Sequence, residues 1–295
     1  MNMREQFIVS THELFNKDER VSILLGGISV ASFSDLFSKN PYRAFDTGIC
    51  EQAIIGAAAG MSIAGMIPVV HTIAPFLVER AYEQLKIDFG YQKQRGNFIT
   101  TGASLDYSSF GATHQCPADI NALKQIPGFQ IVVPGTADEF KILYEQSYDN
   151  LSPTYFRTSR DVNAQSQEVT FGKANVIKKG TKATVIAIGP LLDMVLEAVK
   201  DLDVTVLYYT TIEPFDELTL RDNYTTGKIL VCEPFYTGGL LEDIINSLSG
   251  EKLMLKEIGI PHAFPSHYGY TRDHYKDFGL TIDSIKDTML EMISK

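Results

Sequence analysis

The stretch CEQAIIGAAAGMSIAGMIPVVHT, Cys50 to Thr72, decides what kind of protein this is. From Ala53 to Val70 it runs 18 residues without a formal charge, which by length alone would span a membrane. The run contains Gly56, Gly60, Gly65 and Pro68, and its apolar side chains are mostly alanine rather than leucine or phenylalanine. Transfer of so little apolar surface into lipid is weakly favourable. The stretch therefore predicts a buried helix over about residues 51–64, a turn at AGM and a strand IPVVHT within a soluble core. The small residues of GAAAG let such a helix approach another backbone closely. One carboxylate, Glu51, stands at its head.

Composition supports a soluble globular chain. Of 295 residues, 44% are hydrophobic and 21% charged, enough to build a core and cover it. The length favours two domains. A formal charge of -10 and a pI near 5.1, with no dense run among the 26 Lys and Arg, exclude a nucleic-acid groove. Cys50, Cys116 and Cys232 are widely spaced and odd in number, so neither a disulfide framework nor a CxxC metal site is expected, and no metal ligand is assigned. The first residues, MNMREQFIVSTHELF, carry charges where an export signal needs an apolar core. A cytoplasmic location, with no membrane and no nucleic-acid partner, is the expectation.

Along the chain, helical and extended patterns alternate, which predicts α/β architecture with mostly parallel sheets covered on both faces. Strands are expected at VSILLGG, IPVVHT, NFITTG, FQIVVP and TYFRT, with helices near residues 4–16, 51–64, 76–89, 118–125 and 137–148. A long irregular connection, ASLDYSSFGATHQCP, follows NFITTG. Residues 161–175 lose apolar periodicity, as a linker does. A second α/β unit follows, with strands ATVIAIG, VTVLYY, KILVCE and LMLKEIG. The expectation is two doubly wound domains, residues 1–165 and 172–295.

The blocks GICEQ, FLVERAYEQ, GATHQ and VVPGTADE, in this order and spacing, resemble the transketolase family, and so do VCEPFYTGGL and DFGLTIDSI in the second half. The resemblance covers nearly the whole chain and is closest to the split, two-chain form. It implies a pyrimidine-binding domain followed by the family's C-terminal domain, and thiamine diphosphate as cofactor. It also implies that Glu51 hydrogen-bonds N1′ of the aminopyrimidine and so activates the thiazolium carbon. On spacing alone, Glu51 also reads as a helix-terminal acid, favoured by about 0.3–1 kcal/mol through the helix dipole. By the same resemblance Phe76 stacks on the pyrimidine, although its spacing also suits a core residue. Ile73 falls where some relatives carry a second aromatic, and Tyr82 packs the same helix. His114, in GATHQ, lines the substrate channel and exchanges protons with the substrate oxygen; as a loop histidine it could equally be solvated. Arg160, in RTSR, matches a phosphate-contacting arginine.

Departures from the family pattern bear on substrate choice. The frame GEDGxTHQ reads SSFGATHQ, so Phe110 replaces an acid that binds a substrate hydroxyl. Gly102 replaces a histidine, and Gly27 stands where an Asp-containing segment is common. Losing hydroxyl-binding groups while keeping Glu51 predicts altered sugar selection with retained cofactor activation.

The diphosphate and Mg²⁺ signature, GDG with a downstream Asn, is missing, since DG occurs nowhere. The ligands for Mg²⁺ are therefore expected on a separate N-terminal, diphosphate-binding chain. An α2β2 heterotetramer with a homodimeric core, acting on small carbohydrates, is the assembly implied. Two alternatives stay open at this point: a beta subunit of a 2-oxoacid dehydrogenase decarboxylase, and a non-catalytic subunit that kept the fold.

Overall fold

Strands in this chain are covered on both sides, and that follows from their sequences. In a computed structural model describing residues 1–295, every residue of β1 (Val21–Leu25) is buried. Alternation splits the strand between two cores: Val21, Ile23 and Leu25 join Phe7, Leu14, Phe140 and Tyr144, while Leu24 joins Ile54, Ile55, Leu77 and Phe98. The remaining strands are β2 (Ala44–Asp46), β3 (Ile67–Ile73), β4 (Gly96–Thr101), β5 (Gln130–Val132), β6 (Pro153–Arg157), β7 (Asn175–Lys178), β8 (Thr184–Ile188), β9 (Thr205–Tyr209), β10 (Thr211–Glu213), β11 (Lys228–Tyr236) and β12 (Met254–Ile260).

The first sheet has the order β10-β5-β6-β4-β3-β1-β2 and the second β12-β11-β8-β9-β7. Pairing is parallel except where β10 meets β5 and β7 meets β9. The strands β2, β7 and β10 were not expected. Each is a short edge strand of three or four residues, too brief to show alternation. β10 belongs by sequence to the second half but pairs in the first sheet.

Two helical expectations need correction. The helix Glu51–Ile63 is only half-buried: Ile54, Ile55, Ala58, Ala59 and Ser62 face inward, whereas Gln52, Ala53, Gly56, Ala57 and Gly60 are exposed. Its small-residue row therefore faces away from this chain's core. The helix expected near residues 76–89 is broken into Ala74–Val78, Tyr82–Gln84 and a wide turn at Leu85–Tyr91. The wider turn buries both Leu85 and Phe89, four residues apart, against the sheet. No helix is long and apolar enough to cross a membrane.

Parallel strands expose their C-terminal ends together, and loops there converge. The chain leaves β2 for Glu51, β3 for Phe76, β4 for Phe110 and His114, and β6 for Arg160. Topology alone thus gathers residues that lie more than 100 positions apart.

Candidate active site

Glu51 opens the helix Glu51–Ile63 and is 1% exposed. The N-cap is Cys50, with no side-chain capping bond. Glu51 Oε2 accepts from Arg80 Nη1 at 2.8 Å, while Oε1 is buried with no partner. A carboxylate serving only the helix dipole would remain in water. Leaving a buried polar oxygen unsatisfied costs about 1–3 kcal/mol, and such an oxygen marks a place where a donor from outside the chain fits.

Arg80 leads to the next residue. Its guanidinium lies 4.1 Å from the centroid of the half-buried Phe76 ring, within cation–π range. Phe76 meets the His114 ring edge-on, at 5.2 Å and 71°. His114 lies 5.0 Å from Phe110, which is 59% exposed. Phe110 meets Tyr107 at 6.1 Å, and the Arg160 guanidinium stands 4.6 Å over Tyr107. One continuous row therefore links Glu51, Phe76, His114, Phe110 and Arg160. Two residues that sequence reasoning did not single out, Arg80 and Tyr107, complete it.

The local structure explains how each is held. His114 Nδ1 is 2.9 Å from Thr113 Oγ1, which leaves Nε2 free. Gly102 has φ of +80°, and a Cβ there would run into the Tyr107 ring. The space beside Gly102 is thus filled by an aromatic from the following loop. Ile73, the last residue of β3, borders the same glycine: the Gly102 Cβ would stand 3.2 Å from Ile73 Cγ2. Tyr82 donates from its hydroxyl to Ala122 O at 3.2 Å, tying the broken helix to its neighbour. Gly27 lacks an acid of its own, but its backbone N–H donates to Asp46 Oδ1 at 2.9 Å. An aspartate reaches that loop after all, from β2.

Arg160 is exposed and its loop is anchored by Asp106. The Asp106 carboxylate accepts from Arg160 N at 2.9 Å and from Ser159 Oγ at 3.2 Å. Burial pushes its pKa up to about 7, against the pull of those hydrogen bonds. Arg160 and Arg4 both line a cavity of about 240 Å³ with Thr101, Tyr107 and Thr158, a basic recess suited to an anionic group. Arg4 Nε also donates to Ser29 Oγ at 3.0 Å, and Ser29 Oγ lies 3.0 Å from His71 Nε2. His71 is buried, and desolvation depresses its pKa to about 3, so it is a neutral partner in the core.

Comparison with known proteins identifies relatives of this chain. A 6-deoxy-6-sulfo-D-fructose transketolase subunit of Clostridium sp. (strain MSTE9) is 28% identical over 96% of this chain and 92% of its own. An apulose-4-phosphate transketolase subunit of Phocaeicola vulgatus is 29% identical over 99% and 97%. A solved structure described as a split gene transketolase, an inactive beta4 tetramer, superposes with a TM-score of 0.87 at 25% identity, covering 100% of this chain and 99% of that one. Residues 1–164 match the transketolase pyrimidine-binding domain and residues 172–285 match the transketolase C-terminal domain. Together the two matches span most of the chain in sequence order, and this chain belongs to the transketolase family.

Proposed function

We propose that this chain is the C-terminal subunit of a two-chain, thiamine diphosphate-dependent transketolase that moves a two-carbon unit between sugar-type substrates. The observation that carries the reading is the buried, unpartnered Oε1 of Glu51, whose other oxygen is held by the Arg80 guanidinium that lies over the Phe76 ring. The chemistry such a cofactor supplies when bound is a thiazolium carbon nucleophile toward a sugar carbonyl. Glu51 would hold the aminopyrimidine through N1′, in a site dried by its burial, where a shared hydrogen bond is strong. Arg80 fixes the carboxylate by its other oxygen, and Phe76 offers a ring face. His114 holds or moves a proton at the substrate oxygen through Nε2. Arg160, with Arg4 nearby, receives an anionic group of the sugar.

The diphosphate and its Mg²⁺ fall to a separate partner chain, in an α2β2 assembly. The exposed small-residue row of helix Glu51–Ile63 is the part of this chain that would allow a close subunit approach. Two relatives named for a sulfo-sugar and for apulose 4-phosphate support an uncommon sugar as substrate. So does the exposed Phe110 ring beside His114, at the position that the resemblance gives to a hydroxyl-binding acid.

The test compares the chain alone with the chain plus its partner, each with thiamine diphosphate and Mg²⁺. Ketol transfer is expected only from the pair. Full turnover by the single chain, or CO₂ release from a 2-oxoacid by the pair, overturns the reading.

A further inference from the structure

Away from the row between Glu51 and Arg160, three donor atoms converge in the segment that follows β12. His267 lies in the loop, and His274 and Asp277 lie one turn apart on the helix Thr271–Asp277. Their donor atoms all fall within 4.8 Å of one another. His267 Nδ1 is 2.7 Å from Tyr268 O; a carbonyl only accepts, so Nδ1 carries the hydrogen. Nε2 of the same ring is 2.7 Å from Asp277 Oδ2. In the neutral imidazole that contact sets a lone pair against a carboxylate oxygen, so a positive charge belongs between them. A proton satisfies this pair alone. It leaves His274 Nε2, on a side chain 1% exposed, without any partner.

A divalent ion satisfies all three groups. The His267 and His274 rings stack at 4.8 Å and 25°, which places their nitrogens side by side. The bond from His267 Nδ1 to a backbone carbonyl is the outer arrangement that orients a ligating imidazole and fixes its tautomer. Gly269 borders the donors: a Cβ there would stand 3.5 Å from both His267 Nδ1 and His274 Nε2, in ordinary contact. His267 and Asp277 are about half exposed, at 48% and 51%, so an ion has a path in.

We propose that His267, His274 and Asp277 form a transition-metal site. Two imidazoles and one carboxylate suit Zn²⁺ and its borderline-soft neighbours, not Mg²⁺ or Ca²⁺, which take oxygen ligands. The site has a mechanical consequence. The Tyr268 ring lies against Gly111, where a Cβ would come within 2.7 Å of it, and Thr271 Oγ1 donates to Leu105 O at 3.0 Å. A metal that ties His267 to the helix Thr271–Asp277 fastens the segment after β12 onto the loop that bears Phe110 and His114.

The test uses the tag-free full chain, stripped with a chelator and titrated calorimetrically with Zn²⁺, with Co²⁺ absorption as a second readout. One equivalent per chain is expected, with visible cobalt bands. Asp277→Asn and His267→Ala should each weaken Zn²⁺ binding by at least about tenfold, and His12→Ala, on the first helix, should bind as the parent does. Both test residues are exposed enough to be replaced without emptying a core, so folding does not obscure the result. Uptake well below one equivalent, or affinity unchanged in either Asp277→Asn or His267→Ala, overturns the proposal.

Discussion

Arg80 reaches Glu51 and leaves it half satisfied: Nη1 donates to Oε2 at 2.8 Å, and Oε1 remains buried and open. The pairing is asymmetric in exposure, with the Arg80 side chain 40% exposed and that of Glu51 2%. The net stability of a pair with one exposed partner is small compared with the cost of stranding its buried oxygen. Its value lies in fixing which carboxylate oxygen is available.

Replacing Glu51 with Gln keeps volume and one acceptor for Arg80, so the fold should persist. Activity of the assembled enzyme should fall by orders of magnitude, because an amide cannot supply the same charge to a donor. Thermal unfolding and turnover measured together check this. Turnover within a few-fold of the parent would reduce Glu51 to a helix-terminal acid.

Arg80→Ala leaves Glu51 Oε2 buried without a donor, a loss of about 1–3 kcal/mol, or roughly 5- to 150-fold. If Arg80 positions the carboxylate, that loss appears in kcat of the assembled enzyme, and Arg80→Lys recovers part of it as a point charge that cannot lie flat on Phe76. A structural role alone would lower the melting temperature equally in both variants and leave kcat per folded enzyme untouched.

Phe110 is exposed and 5.0 Å from His114, which places an apolar ring beside the proposed proton carrier. Sugars that present a hydroxyl there lose its partner, at about 1–3 kcal/mol. Xylulose 5-phosphate should be a poor donor for the parent enzyme with its partner, and Phe110→Asp should raise its kcat/KM relative to the native donor. Equal efficiency of the parent with xylulose 5-phosphate and with any other donor would remove Phe110 from the channel.

Asp106 makes stability depend on pH. Its folded pKa, raised by burial to about 7, exceeds the unfolded value near 3.9, so the native chain keeps a proton that the unfolded chain has released. That contribution is complete below about pH 4 and is lost as pH rises through 7. His71 has the opposite sign: with its pKa depressed to about 3 by burial, stability is lost as pH falls from about 6.5 toward 3. Asp106→Asn removes the first effect and keeps the second. Its unfolding free energy should therefore rise more steeply with pH than the parent's between about 4 and 6.5, by urea unfolding at stepped pH. Parallel curves for the two proteins would clear Asp106 of this role.

Asp119 accepts from Arg157 Nε at 2.7 Å and from the Tyr155 hydroxyl at 2.9 Å, all three fully buried. Arg157 Nη2 also donates to Pro234 O at 3.2 Å, in the second half of the chain. Asp119→Ala strands a buried guanidinium and should cost about 3–5 kcal/mol, measured by chemical denaturation. A loss under about 1 kcal/mol would mean that water or a local shift replaces the carboxylate.

Much of this was legible in sequence wherever chemistry sits in a local motif. GICEQ, FLVERAYEQ and GATHQ singled out Glu51, Phe76 and His114, which the fold brings into one row, while runs such as ATVIAIG gave buried parallel strands directly. What stayed hidden depends on distant packing. Arg80 was in plain view within FLVERAYEQ, but only the break after Val78 turns it back to Glu51. Tyr107 gained its place because Gly102 leaves room for a ring. The half-buried state of helix Glu51–Ile63 was missed because glycine and alanine carry no strong inside or outside preference, unlike Ile54 and Ile55. His267 is seven residues from His274, outside the short spacings by which metal ligands are usually spotted.

The short strand β10 has a consequence for how such a chain can be taken apart or recombined. It leaves the second sheet after β9 and completes the edge of the first sheet beside β5, with the linker of residues 161–175 already behind it. Cutting that linker would leave the two fragments clasped. A chimera that borrows its C-terminal portion from a relative must import Thr211–Glu213 as well, and with it an edge fitted to someone else's β5.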